Sequence, residues 1–221
     1  MSSIIGHTRQ IEYFNTVLQH GNLAHAYLFY GPEHVGKCTF ARRIAKIFYC
    51  ASRGKKNESH GGRVFAGTCD EARDMCSECK MIDDAKHPNV IFLDAHHALV
   101  PDKETRKGIS IDDMRELRRV LSLSGAGNEI RIVIMDDAHT MSFEAAGAFL
   151  KILEEPGAGT LFILIAPEKE ALLQTIVSRT QSMYFAPVSK ARIGEYLSTR
   201  DFSLEERAEL LHWAAGRPGV I

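Results

Sequence analysis

The stretch Gly31-Pro32-Glu33-His34-Val35-Gly36-Lys37-Cys38 constrains the fold of this chain more than any other. It follows the apolar run His25-Ala26-Tyr27-Leu28-Phe29-Tyr30 and leads into Thr39-Phe40-Ala41-Arg42-Arg43-Ile44-Ala45. A buried strand, a glycine-bracketed turn and a helix form the setting that a phosphate-binding loop requires. In that setting the backbone N–H groups of the turn and of the helix N-terminus face phosphate oxygens, and Lys37 reaches the terminal ones. One position departs from the pattern: the residue after the lysine is ordinarily Ser or Thr, whose hydroxyl ligates magnesium, and here it is Cys38. A soft thiol is a poor ligand for that hard ion, and Thr39 comes one position too late to replace it simply. The same residues also read as a glycine turn kept for its backbone geometry alone.

The rest of the chain supplies a sheet for the loop to sit on. Ile130-Arg131-Ile132-Val133-Ile134-Met135 is the clearest further strand, mostly β-branched and apolar. Val90 to Leu93, Leu161 to Ala166 and Ser182 to Phe185 read as others. Ser3 to Leu18 carries Ile11, Phe14 and Leu18 at helical spacing and ends at Gly21. Further helices are predicted from the loop to about Phe48, over Ile111 to Leu121, from Ser142 to Pro156, from about Lys169 to Ser178, and after Ser189 and Ser203. Ser110 with Asp113 and Ser203 with Glu206 have capping-box spacing. Strands alternating with helices specify an α/β fold with a parallel sheet covered on both faces. Residues 1–186 are expected to form the nucleotide-binding domain, and Ala186-Pro187-Val188 the junction. Residues 187–221 are expected to form a small helical lid, too short to be an independent domain and cut short. Trp213, Phe14 and Phe149 are assigned to core faces.

A phosphate-binding loop needs an acidic partner at the end of a core strand, to hold magnesium and polarise the attacking water. Met135-Asp136-Asp137-Ala138-His139 supplies one on the strongest strand. Asp136 would hold the metal, directly or through water, and Asp137 stands where a glutamate base is usual. Aspartate is one methylene shorter, and displacing a catalytic group by ~1 Å can cost ~100-fold in rate, so hydrolysis is expected to be slow at best. The competing reading of the pair is a strand-end helix cap.

The stretch from Cys50 to Cys79 breaks into glycine, charge and cysteine, including Arg53-Gly54-Lys55-Lys56-Asn57, and reads as an insertion over about residues 50–80. No apolar run approaches the ~18 residues of a membrane span and no signal-peptide pattern opens the chain, so a cytoplasmic address is expected. There thiols stay reduced, which favours metal over disulfides. Cys50, Cys69, Cys76 and Cys79 follow the spacing C-x18-C-x6-C-x2-C. Four thiols in a segment too poor to form a core point to a closed, tetrahedral, structural zinc site. Scattered free thiols, or His60 or His87 in place of one cysteine, are the alternatives. Arg179 in Ser178-Arg179-Thr180 reads either as a cation at a helix C-terminus or as an arginine finger acting on a neighbouring subunit's nucleotide. Arg115, Arg118 and Arg119 share a helix face, read as solvated, and His96 and His97 read as loop residues. The formal net charge of −1 advertises no strong grip on DNA.

Taken together these motifs resemble the clamp-loader branch of the AAA+ ATPases, and within it the delta-prime family of bacterial DNA polymerase III subunits. The resemblance runs nearly end to end: Ile5-Gly6-His7, Leu23 to Leu28, the loop, a cysteine module inserted after its helix, His87-Pro88, and Ile109 to Arg115. Its most specific stretch is Phe149-Leu150-Lys151-Ile152-Leu153-Glu154-Glu155-Pro156. Ser178-Arg179 is similar to the family's serine-arginine-cysteine motif, with Thr180 in the last position, which raises the finger reading of Arg179. Other departures fall on catalytic positions. Gly147 replaces a usual asparagine, Ile165-Ala166-Pro167 offers no polar sensor, and the lid arginine of the motor subunits falls on Gly219.

The resemblance therefore implies a delta-prime-type subunit that helps load the sliding clamp onto primed DNA during replication. It would hydrolyse little or no ATP itself and supply Arg179 to a neighbour. ATP and magnesium at Gly31–Thr39 and Asp136, with Asp137 a weak catalytic group, and structural zinc at the four cysteines would be its cofactors. Other clamp-loader subunits would be its partners, with no membrane contact. Family members assemble through a C-terminal collar domain with no counterpart here, so the chain is expected to be a fragment. The rival enzyme reading is an active gamma/tau-type clamp-loader ATPase with Asp137 as base. A weaker third is a zinc-dependent nucleic-acid-binding module, against which the near-neutral charge argues.

Overall fold

The structure, a computed structural model, describes residues 4–51, 69, 75–94, 99, 108–122, 130–157 and 159–221. The basic stretch at 53–57, His60, His96, His97 and the charged segment at 100–107 lie outside the described residues. Helix α1 (Thr8–His20) precedes strand β1 (Ala26–Tyr30), and α2 (Lys37–Tyr49) starts at the lysine of the loop. A short α3 (Ser77–Asp83) leads to β2 (Val90–Leu93) and α4 (Ile111–Ser122). Then come β3 (Arg131–Met135), α5 (Phe143–Glu154), β4 (Thr160–Ala166), α6 (Gln174–Val177) and β5 (Gln181–Tyr184). Helices α7 (Lys190–Ser198) and α8 (Leu204–Ala214) follow, with a last 3-10 turn at Pro218–Val220.

The strands form one parallel sheet in the order β2-β3-β4-β1-β5. Alternate residues of each strand leave opposite faces. Tyr27, Phe29, Ile132, Ile134, Ile163 and Ile165 join a core with Phe14 of α1 and Phe40 and Ile44 of α2. Ala26, Leu28, Val133, Met135, Phe162 and Leu164 join the opposite core with Met114 and Leu117 of α4 and Phe149 and Leu153 of α5. Burial on both faces is why the central strands read as unbroken apolar runs rather than alternating ones. Phe185, just past β5, packs its ring 5.0 Å from Phe29 and 5.2 Å from Phe40, beneath the loop. Each such fully buried ring is worth about 2–3 kcal/mol of transfer free energy, so the loop rests on well-anchored ground.

The predicted caps form. Ser110 and Asp113 bond reciprocally at the start of α4, with backbone-to-side-chain distances of 2.9 and 3.4 Å. Ser142 and Ser189 accept from the third residue of their helices, and Ser203 with Glu206 completes a capping box on α8. Three expectations need correction. The first helix starts at Thr8 rather than Ser3, because Gly6 and His7 hold left-handed backbone (φ 79° and 57°) that a right-handed helix cannot include. The helix expected from Lys169 to Ser178 is broken into a 3-10 turn (Lys169–Ala171) and α6. Leu172, buried and extended between them, turns its side chain into the core. Trp213 is not a core residue: its side chain is 65% exposed. Helix α8 instead turns Leu210, Leu211 and Ala214 toward Val188, Ile193 and Leu197, which gives the last two helices a small apolar cluster of their own. Among the described residues no helix is long and apolar enough to cross a membrane.

Candidate functional site

In an open parallel sheet, ligands bind beyond the carboxyl ends of the strands. The strand order places β1, β4 and β3 side by side. The loop after Tyr30, the Ala166-Pro167 corner and the Asp136-Asp137 pair therefore converge on one cleft of about 430 Å³. Glu33, His34, Gly36 to Thr39, Asp136 and Asp137 line it, together with Gly219 of the last 3-10 turn. Gly31 is required by geometry: its φ is 142°, and a Cβ there would lie 2.2 Å from the carbonyl oxygen of Phe185. Left-handed backbone at His34 and Gly36 (φ 61° and 104°) gives the loop the alternating turn that gathers N–H groups into an anion-binding concavity. His34 also accepts a 2.8 Å bond from the Gly219 N–H, which ties the last 3-10 turn to the loop.

A second cavity of about 260 Å³ adjoins the first and shares Gly36, Thr39 and Gly219 with it. Ile4, Ile5, Val35 and Tyr196 line it beside the polar Thr39 and His7. His7 holds its rim, with Nε2 2.8 Å from the Val35 carbonyl. A carbonyl only accepts, so Nε2 carries the proton. Gly31, Pro32 and Val35, all assigned to the ligand from sequence, do not line the main cleft. Val35 faces the second cavity, while Gly31 and Pro32 act through their carbonyls.

Those carbonyls hold the lysine. Lys37 Nζ donates to Gly31 O at 2.6 Å and to Pro32 O at 2.7 Å, so the ammonium is folded back onto its own loop. Burial lowers its pKa, opposed by the negative charges of Asp136, Glu33 and Asp137. Cys38 and Asp136 line the cleft together. Burial, reinforced by the Asp136 charge and opposed by Arg42, pushes the Cys38 thiol up to about 12, so it is neutral. Asp136 is itself raised, first by burial, with Asp137 and Asp94 adding to the rise and Cys38 opposing it. Asp137 sits in left-handed backbone (φ 51°) at the start of the Ala138–Thr140 turn. Its side chain accepts no capping bond there; its carbonyl takes the Thr140 N–H and hydroxyl instead. Both carboxylates thus border the cleft.

At the other end of α2 a second constellation forms. Cys50, Cys69, Cys76 and Cys79, separated by loose spacings in sequence, bring all four sulfurs within 4.8 Å of one another. Cys50 and Cys69 approach to 3.4 Å, and Cys50 and Cys76 to 3.9 Å, with no disulfide among them. A tetrahedral ion with ~2.3 Å metal–sulfur bonds separates its ligands by ~3.8 Å, so the cluster fits a metal ion with little adjustment. Burial raises the Cys79 thiol, and a bound cation would have to displace that proton. His87, the alternative ligand, is engaged elsewhere: its Nε2 lies 3.0 Å from Glu78 and its ring stacks on Tyr49 at 4.3 Å. Helix α3, which carries Cys79, is pinned to α2. Lys46, 1% exposed, pairs with Asp83 at 2.7 Å, and Arg42 donates to the Asp83 carbonyl at 3.0 Å.

Arg179 stands apart from both, on the surface after α6. Its guanidinium bonds Glu154 at 2.8 Å and the Thr175 carbonyl at 3.1 Å. The second bond is the helix-end contact of a cation at a helix C-terminus, while the first joins the 39% exposed side chain to Glu154 at the end of α5. Arg115 and Arg119 pair with Asp112 and Glu116 on the solvated face of α4. Sequence reasoning did not find the contribution of His7, the second cavity at Ile5 and Tyr196, or Glu154 as the partner of Arg179. These are contacts between distant segments, and only Ile5-Gly6-His7 left a trace, as a resemblance.

A family profile described as DNA polymerase III, delta subunit, matches residues 6–189. The chain is 31% identical over 188 residues to the DNA polymerase III subunit delta' of Bacillus subtilis, covering 84% of this chain and 49% of that one. It is 26% identical over 207 residues to the subunit tau of the same organism, covering 92% of this chain and 32% of that one. Among solved structures, a DNA polymerase III gamma-subunit-related protein of Thermotoga maritima matches with a TM-score of 0.54 at 21% identity. That match covers 92% of this chain and 54% of that one, and bears on fold alone. The chain spans about half the length of the delta' relatives it matches.

Proposed function

Because the chain belongs to the delta-prime family of DNA polymerase III clamp-loader subunits, within the AAA+ superfamily, we propose that it serves a clamp loader as a mount rather than a motor. In this reading it helps place a sliding clamp on primed DNA, docks beside an ATPase subunit, and presents Arg179 to that neighbour's nucleotide. Residues 4–186 hold the nucleotide-type cleft and residues 187–221 the lid. The observation that carries the reading is the place of Cys38 in the cleft that Asp136 and Asp137 also line. Burial keeps its thiol neutral where a magnesium-ligating hydroxyl belongs, near the carboxylate that would share the ion.

A phosphate chain can still be accommodated. Lys37 would exchange the Gly31 and Pro32 carbonyls for phosphate oxygens, and the second cavity, at Ile5, Val35 and Tyr196, would take the base. Magnesium, when bound, would neutralise the phosphates. Without a good site for it, Asp136 and Asp137 repel them, at about 1–4 kcal/mol per close pair of unit charges. Asp137 as base is one methylene short, and no polar side chain extends from Ile165, Ala166 or Pro167 to orient a water. Zinc is the ion proposed for Cys50, Cys69, Cys76 and Cys79, where it would fold the insertion. Such a site has no open position for catalysis.

Titration of the purified chain with ATP, with and without magnesium, tests the claim. Wild type is expected to show an affinity that magnesium changes by less than about twofold, and no phosphate release above background. Cys38→Thr is expected to gain about tenfold from magnesium, the equivalent of ~1.4 kcal/mol. One observation favours a second reading, an active gamma/tau-type ATPase: Lys37, Asp136 and Asp137 still line one cleft. Magnesium-dependent phosphate release by wild type, abolished by Lys37→Ala, would select it.

A further inference from the structure

Arg43 is buried in the middle of α2, with 7% of its surface exposed. It precedes Cys50 by seven residues, which is two helical turns, so both lie on one face of the helix. That face is the one α3 packs against, through Lys46–Asp83 and the Arg42 bond to Asp83. Cys50, Cys69 and Cys79 are all buried there as well. Burial lowers the Arg43 pKa to about 10, and the nearby Cys79, Cys50 and Cys69 oppose that fall. Lys46, the other buried cation on the helix, pairs with Asp83.

We propose that Arg43 is the positioning counter-cation of the four-cysteine centre, holding its thiolates and offsetting the charge they acquire when a divalent metal binds. This rests on the reading of the cysteines as a metal site. Four thiolates around a doubly charged cation leave two negative charges in a buried place. Desolvating such charge costs several kcal/mol per ion unless a partner offsets it. A guanidinium suits this role because it is always charged, weakly hydrated, and presents several planar donors that sulfur lone pairs accept. Because Arg43 sits between the loop at one end of α2 and the ligand Cys50 at the other, the centre and the loop share a single helix.

The test is zinc competition against a chromophoric chelator on the full chain, comparing wild type with Arg43→Met, Arg43→Gln and Arg43→Lys. Removing a residue that supports metal ligands typically costs about 10–100-fold in affinity, and that loss is expected of both neutral variants. Arg43→Lys, which keeps the charge, is expected to recover most of it. The second readout is the melting temperature with zinc and after chelation. The neutral variants should melt lower than wild type only when zinc is bound; in the chelated chain their Tm should be unchanged or higher. A neutral variant whose zinc affinity stays within about twofold of wild type overturns the proposal, as does an equal Tm loss with and without zinc, the mark of a packing role. Should Arg43→Met fail to fold, Arg43→Gln decides on the same criteria. If wild type itself takes up no zinc, the four-cysteine reading fails and Arg43 loses its role with it. That outcome is distinct from a loaded wild type matched by its variants.

Discussion

Cys38 and Gly31 bound the loop and fail in different ways when changed. Gly31→Ala would place a Cβ against the Phe185 carbonyl at 2.2 Å, in backbone that L residues rarely adopt. A loss of about 2 kcal/mol or more in urea unfolding is expected. Gly36→Ala meets open space at φ 104° and should cost only about 1 kcal/mol, the left-handed strain alone. Equal losses would contradict the close-approach argument. His7 gives a pH signature. Burial depresses its pKa below 6.5, against the raising effect of its bond to Val35. The unfolded chain therefore takes up this proton first on acidification. The stability tied to neutral His7 is present above 6.5 and is lost as pH falls through the depressed native value. His7→Gln should flatten that part of the stability–pH curve; a curve of unchanged slope would contradict it. Sequence announced Gly31, Lys37 and Cys38 through the loop pattern. It was silent on the meeting of Cys38 with Asp136 in one cleft and on the Lys37–carbonyl bonds, which depend on how far β1 and β3 advance before the chain turns.

Helix α2 is the element that joins the two sites, with Lys37 at its first residue and Cys50 at its C-cap. Its fastening to α3 depends on Lys46, which is 1% exposed, while Asp83 is 28% exposed. Asp83→Asn leaves that ammonium buried without its charge partner, and a loss of about 2–3 kcal/mol is expected. It should also weaken zinc retention, because Cys79 rides on α3. Unchanged chemical denaturation would contradict the fastening. Element types were legible wherever one rule acted alone: β-branched runs at β3 and β4, serine caps on α4, α5, α7 and α8. They failed where tertiary packing overrode local pattern. Leu172 left the helix to enter the core, and Trp213 lost its expected place on a core face of α8 to Ala214 and Leu210. The cysteine cluster was legible in composition but not in geometry, since loose spacings do not say which sulfurs meet.

At the scale of the whole molecule, the fold brings the loop and its lysine together with positions that the mount account reads as altered catalytic ones. Cys38 takes the hydroxyl's place, Asp137 is short, and Gly219 brings backbone rather than a side chain to the cleft, where a Cβ would lie 2.9 Å from His34 O. Arg179 lies away from this cleft, on the surface, and is held toward solvent by Glu154 across the 2.8 Å ion pair. Such an exposed pair is worth about 0–1 kcal/mol, weak enough to release the guanidinium to a stronger anion. The most direct test of the mount account is therefore ATP turnover by the assembled loader, with this subunit carrying Arg179→Ala or Lys37→Ala. The account predicts that Arg179→Ala slows turnover by about 10³-fold or more at the adjoining site, the scale of a lost arginine finger, while Lys37→Ala leaves it unchanged. Full turnover with Arg179→Ala, or a collapse with Lys37→Ala alone, would contradict it.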